Sequence, residues 1–335
     1  MRSLIILCLA LACLTSFAAA QEIRPLRVGI IGCDTSHVPA FTRLMNNPKA
    51  AGDLAGVRVV AAYPGGSKDI PSSRDRVEGF TKTLREQYQV EIVPSIDELL
   101  KKVEVVLLES VDGRPHLEQV RPVLKAGKPV FIDKPVAGSL RDAVQIYDLA
   151  KQYKVPVFSS SSLRYYPGIQ AAAQDPKFGG VVGCVAYGPC SLEEHHPDLF
   201  WYGIHGVETL FTIMGSGCES VARVHTKDTD VATGVWKDGR VGTFRGIRNA
   251  SAPYGALVFG KKTVAPAETK GSYEPLVVEI CKFFKTGKPP VSAEETIEIF
   301  AFMEAADESK RRGGAPVKLA DVIAAARAEI AKQKQ

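Results

Sequence analysis

No CxxC pair occurs in this 335-residue chain, although it has seven cysteines. The five beyond the first twenty residues, Cys33, Cys184, Cys190, Cys218 and Cys281, are an odd and widely spaced set. That pattern excludes a zinc ribbon and a disulfide scaffold. A single bridge in an oxidising compartment would join the nearest pair, Cys184 and Cys190. Most of the cysteines read as small buried hydrophobes. Blocks of like charge are missing too. The formal charge of +5 is spread along the chain, which leaves no electrostatic footprint for nucleic acid. There is no internal repeat, and the only biased segment is the polar C-terminal tail.

One apolar run stands out, residues 4–14. Arg2 precedes it, and Ala18-Ala19-Ala20 and the polar Gln21-Glu22 follow. This is the pattern of a secretory signal peptide cleaved after Ala20, and the run is too short to span a bilayer as a mature helix. Ala10 argues against a lipid anchor at Cys13, and the single arginine favours export of an unfolded chain. The mature protein is therefore expected to be periplasmic or secreted, with no membrane contact after cleavage.

Length and a hydrophobic content of 45% suggest two domains. In residues 24–158 the short apolar runs 28–31, 57–62, 103–108, 129–132 and 155–158 alternate with helix-length segments near 36–45, 72–87, 95–101, 116–125 and 140–153. Continuous apolar strands separated by helices predict a doubly wound parallel sheet of the Rossmann type. Residues 159–320 differ. Strand-like runs at 221–227, 231–236 and 241–247, with the hairpin signal Asp238-Gly239, precede another at 254–258. Helices follow near 275–285 and 292–311, the latter with Ser292 as N-cap and Glu295 three residues on. The fold class is α/β: a Rossmann domain, then an α+β domain with an open, mostly antiparallel sheet. The last helices are expected to return toward the first domain, and 321–335 to form a helix or tail.

The most telling stretch is Ala126 to Pro135, AGKPVFIDKP. Its buried strand delivers Asp133-Lys134-Pro135 at the carboxyl end, where ligands bind in an open parallel sheet. Lys134 is thus a positioned cation. The first strand leads through Gly29 and Gly32 into Cys33-Asp34-Thr35-Ser36-His37 and a helix. A dinucleotide fold carries GxGxxG here. With Gly32 as the first glycine, Asp34 occupies the second place and His37 the third. The Asp34 carboxylate would face phosphate charge at a cost of about 1–4 kcal/mol, although Thr35, Ser36 and the helix N-terminus suit an anion. The second strand ends Ala61-Ala62-Tyr63-Pro64-Gly65-Gly66, without the acid that an NAD ribose wants. Ser67, Lys68 and Arg74 either meet a 2′-phosphate, which tilts NAD toward NADP, or form a solvated loop.

From VGIIG through VVLLES, the spacing to LKAGKPVFIDKP and then SSSLRYYPG, residues 26–319 resemble the Gfo/Idh/MocA family of oxidoreductases. The resemblance implies hydride transfer between a nicotinamide, NAD or NADP, and a sugar or cyclitol. It further implies a homo-oligomer, dimer or tetramer, built on the second domain's sheet. The family's Glu-Lys-Pro matches Asp133-Lys134-Pro135, with Lys134 at the reacting hydroxyl. Its Asp-x-x-x-His matches Trp201 to His205, so the histidine is kept and the acid replaced. Lys134, His205 and Tyr202 are the implied catalytic residues. Asp133, Pro135, Tyr63 and the Gly29–His37 loop would line the cofactor, and Arg164, Tyr165, His196 and His205 the substrate.

A second reading remains open. His196, Asp198, His205 and Glu208 could supply ligands to a divalent metal such as Zn²⁺ or Mn²⁺, because His205 and Glu208 share a helix face. This would be a metal-assisted, non-redox carbohydrate enzyme. A sugar-binding protein without catalysis is the third.

Overall fold

The computed structural model describes residues 24–250 and 252–333, so the expected leader and its cleavage site lie outside the described residues. The first sheet has six strands: β1 (Leu26–Ile31), β2 (Val57–Tyr63), β3 (Glu91–Ile92), β4 (Val105–Leu108), β5 (Val130–Ile132) and β6 (Val157–Ser159). Their order is β3-β2-β1-β4-β5-β6 and every pairing is parallel. This is the Rossmann order, with its switch point between β1 and β4. The all-apolar β4 and β5 are buried throughout, as central strands covered on both faces must be.

The second sheet has seven strands: β7 (Val181–Pro189), β8 (Cys218–His225), β9 (Thr229–Trp236), β10 (Val241–Ile247), β11 (Gly255–Gly260), β12 (Val264–Ala267) and β13 (Val317–Lys318). The order is β12-β11-β7-β10-β9-β8-β13, antiparallel except for β7 against β10. Two of these strands carry weak local signals. β7 is interrupted by Gly183 and Gly188, and β12 contains Pro266, which is tolerated because the strand is an edge.

One helix was expected over 72–87; there are two, Pro71–Arg74 and Val77–Tyr88. Ser292 caps Ala293–Arg311, accepting the Glu295 N–H at 3.1 Å. The helix Glu274–Thr286 lies over the first sheet, where Leu276, Ile280 and Phe283 join one apolar cluster with Val28, Ile30 and Phe41. The helix Gly203–Met214 is buried almost end to end. Gly206 allows this, since a Cβ there would stand 2.2 Å from the Phe244 ring.

All five cysteines are free and buried. Cys184 and Cys190, the nearest pair, are not bridged: six residues along an extended strand separate the two by roughly 20 Å, far beyond disulfide reach, and the reading of the cysteines as buried hydrophobes fits.

Candidate active site

The carboxyl ends of β1, β4 and β5 face the second domain across a cavity of about 340 Å³. Thr35, Ser36, His37, Lys134, Tyr202 and His205 line it together, bringing to one place residues spread over 171 positions of sequence (from 35 to 205, both ends counted). A wider groove of about 1020 Å³ beside Tyr147 and Arg327 holds none of the expected site residues.

Asp133 directly follows β5; its Oδ1 accepts the Lys134 N–H at 2.8 Å while Oδ2 pairs with His37 Nδ1 at 2.6 Å. Burial would raise the Asp133 carboxyl, but His37 and Lys134 outweigh it and hold it below its usual range. Lys134 Nζ lies 6.0 Å from the centre of the Tyr202 ring. Its pKa is lowered by burial and by Arg76, against the pull of Asp133. His205 Nδ1 bonds Ser161 Oγ at 2.7 Å, which leaves Nε2 toward the cavity. Burial first, then Lys134 and His37, push the His205 imidazole well below its usual value. Two bases biased toward their neutral forms, one after a strand end and one on a helix, therefore line one cavity, an arrangement suited to taking a hydroxyl proton.

Several expected site residues do other work. Asp34 does not face a phosphate: it is fully buried, accepting the Val111 N–H at 2.9 Å and the Ser73 hydroxyl at 2.5 Å. Burial pushes its carboxyl up against those bonds. Gly29 is a packing position, where a Cβ would touch Leu99 and Val103 at 3.0 Å. Gly32, at φ +87°, makes room for Ser110, whose Oγ would lie 2.3 Å from a Cβ. Arg164, expected at the substrate, does not line this cavity. It bonds Glu208 at 2.8 Å and Glu295 at 2.7 Å away from the cavity. Tyr165 buries its hydroxyl without a partner among the described residues, and Tyr166 lines the cavity instead. His196 is held between Glu193 at 2.7 Å and Asp112 at 3.1 Å, and packs on Trp201.

The four candidate metal ligands do not converge. Asp198 pairs with Arg223 and Lys310, and Glu208 is taken by Ser160, Ser161 and Arg164. Sharing a helix face put His205 and Glu208 side by side, but each turned to its own serine. Among the described residues the only group of potential ligands close enough for one ion is Glu193, Glu194 and His195, and Glu193 already holds the His195 ring at 2.7 Å.

Sequence reasoning missed Ser161, Arg76 and Glu109. The serine run after β6 was visible, but its contact with His205 was not. Glu109, just after β4, is fully buried, and neither carboxyl oxygen meets a partner among the described residues. Burial, then Asp133 and Asp34, keep its proton on well above the usual range. The folded state thus binds more protons than the unfolded one above about pH 4.3, and stability falls as pH rises from there toward the folded value. Glu109→Gln cannot ionise, and is expected to shrink the drop in melting temperature between about pH 5 and about pH 8. An unchanged drop would assign the pH dependence to another group.

Residues 26–161 match an oxidoreductase family with an NAD-binding Rossmann fold, Gfo/Idh/MocA. The match covers the first domain, about two fifths of the chain. One curated relative is an uncharacterized oxidoreductase of Streptococcus pneumoniae, 25% identical over 156 residues, which are 42% of either chain. The match thus spans less than half the length of that relative. Among solved structures, scyllo-inositol dehydrogenase from Lactobacillus casei with bound NAD(H) and scyllo-inositol is 14% identical, with a TM-score of 0.71, over 88% of this chain and 99% of that one. Myo-inositol 2-dehydrogenase from Lactobacillus plantarum is 16% identical at the same TM-score and coverage. At these identities the likeness is one of fold.

The crevice of this Rossmann domain fits a dinucleotide unevenly. The nicotinamide-to-pyrophosphate half fits. The positive end of the helix His37–Met45 faces the cavity, Ser36 makes no side-chain cap, and the Thr35 and Ser36 hydroxyls stand beside it. The adenosine half is covered by residues 64–76. Gly65 lies on Gly32, where a Cβ would be 3.5 Å from the Gly32 Cα. Ser67 donates to Asp112 at 2.5 Å and Arg114 pairs with Asp69 at 2.9 Å, which ties the loops after β2 and β4 together. Arg74 pairs with Asp75, so Ser67 and Arg74 are both engaged and no 2′-phosphate site is formed. The tilt toward NADP has no support.

Proposed function

We propose that this protein oxidises or reduces a carbinol carbon of a sugar or cyclitol, with Lys134 and His205 handling the proton of the reacting hydroxyl. One observation carries the reading: Lys134 and the free His205 nitrogen share an aromatic-walled cavity, each held toward its neutral form. A nicotinamide bound in the crevice would supply the hydride chemistry at the carbon. In oxidation the Lys134 amine takes the hydroxyl proton as the carbonyl forms, and in reduction it returns one. Asp133, fixed by His37, anchors the Lys134 backbone; Ser161 orients the His205 ring. Tyr202 and Tyr254, each packed edge-on to His205, offer apolar faces to ring C–H groups. The inositol dehydrogenases among the fold neighbours support a polyol substrate.

Two further parts belong to this proposal. The leader pattern supports export. The outer face of the second sheet, where Val241 pairs with Val235 and both are exposed alongside Val224, supports a homo-oligomer, which sedimentation of the mature protein tests.

The test is oxidation of a panel of sugars and cyclitols by the purified mature protein with NAD⁺, followed by nicotinamide absorbance. Asp69→Asn belongs in it. Asp69 and Arg114 are 52% and 33% exposed, and such surface pairs contribute about 0–1 kcal/mol. Loosening the strap is therefore expected to tighten NAD⁺ binding by about two- to five-fold, read by equilibrium dialysis. If neither form binds or reduces NAD⁺, the redox reading falls.

A further inference from the structure

We propose that the polyol is a sugar acid whose carboxylate is held by Arg76. The inference rests on the reading above and names its substrate class. The cavity is lined by Arg76, Lys134 and two histidines, His37 paired with Asp133 and His205 bonded to Ser161, and by no aspartate or glutamate side chain. Lys134 has Asp133 beneath it and a part in the chemistry. Arg76 has neither. Its Nε donates to the Ser72 carbonyl oxygen, and it forms no salt bridge among the described residues. Asp34, whose charge Arg76 feels, is bonded to Ser73 and Val111, and the neighbouring Asp75 pairs with Arg74. A guanidinium presents its two remaining nitrogens in a fork that matches a carboxylate. Ser72 and Ser36 line the same wall and add hydroxyl donors. The aromatic side, Tyr202 with Trp201 and Tyr254, suits the C–H faces of a sugar ring, and about 340 Å³ is a volume that takes a small polar ligand. The charge on Arg76 thus selects among polyols that fit equally well by shape.

A dinucleotide pyrophosphate is the other anion that this wall could meet, and the experiment separates the two. Binding of gluconate, glucuronate, glucose and myo-inositol is measured by calorimetry on the mature full-length protein without cofactor, and binding of NAD⁺ separately, for the wild type, Arg76→Gln and Arg76→Lys. The wild type is expected to bind at least one of the acids about tenfold or more tighter than either neutral polyol. Arg76→Gln should lose that margin and leave neutral polyols unchanged, and Arg76→Lys should recover part of it. Melting curves of both variants control for folding. Acids that bind no tighter than neutral polyols overturn the proposal. So does an Arg76→Gln variant that weakens NAD⁺ but not acid binding, which would give Arg76 to the pyrophosphate. Acid binding with no turnover would instead sink the redox reading alone.

Discussion

Lys134→Ala is expected to lower turnover by roughly 10²- to 10⁴-fold, the range that a positioned general acid–base group contributes. The residue has no structural task that alanine would abandon. Its backbone is held by Asp133, and its ammonium group forms no salt bridge among the described residues. The fold should therefore survive, with circular dichroism unchanged and substrate binding altered by far less than turnover. The pH profile adds a sharper readout. Burial lowers the Lys134 pKa, so the neutral amine becomes more abundant as pH rises through that depressed value. Turnover in the direction of oxidation should rise with it. Lys134→Arg keeps a cation at every accessible pH and should lose both the activity and the rising limb. Turnover by Lys134→Ala within about fivefold of wild type would hand the proton to His205 or Tyr202.

Arg164→Leu should cost about 3–5 kcal/mol of stability, the penalty for breaking a buried pair from one side. Arg164 is 7% exposed and bridges Glu208, 4% exposed, to Glu295. Removing it leaves the Glu208 carboxylate buried, supported only by Ser160 and by the Ser161 N–H. Urea unfolding at neutral pH measures the loss. Adding Glu208→Leu should recover much of it, because the uncompensated charge goes too. The outcome discriminates between roles. A structural arginine lowers stability and leaves the Michaelis constant of the folded fraction nearly unchanged. A substrate arginine would do the reverse, and would restore the role that position suggested beside Tyr165 and Tyr166.

What could be read from residue order alone was whatever depends on near neighbours. An apolar run such as Val130–Ile132 must be buried wherever it goes, and the alternation of such runs with helices forces a parallel sheet. Lys134 follows directly, since a residue next to a strand's carboxyl end travels with that end. His205 came from a motif on one helix. Contacts between distant side chains were beyond reach. Asp34 meets Ser73 across 39 residues, Ser67 meets Asp112 across 45, and Arg164 meets Glu208 across 44. Each of these polar groups had a plausible ligand-binding role while its partner was unknown. Packing gave each group a partner within the protein, because leaving a buried polar group without one is costly. The same packing turned Arg76 toward the cavity and laid residues 64–76 over the adenosine end. The sequence determined the scaffold and the position of Lys134. Tertiary structure decided which charges remain free to meet a ligand, since that depends on which others have already been neutralised.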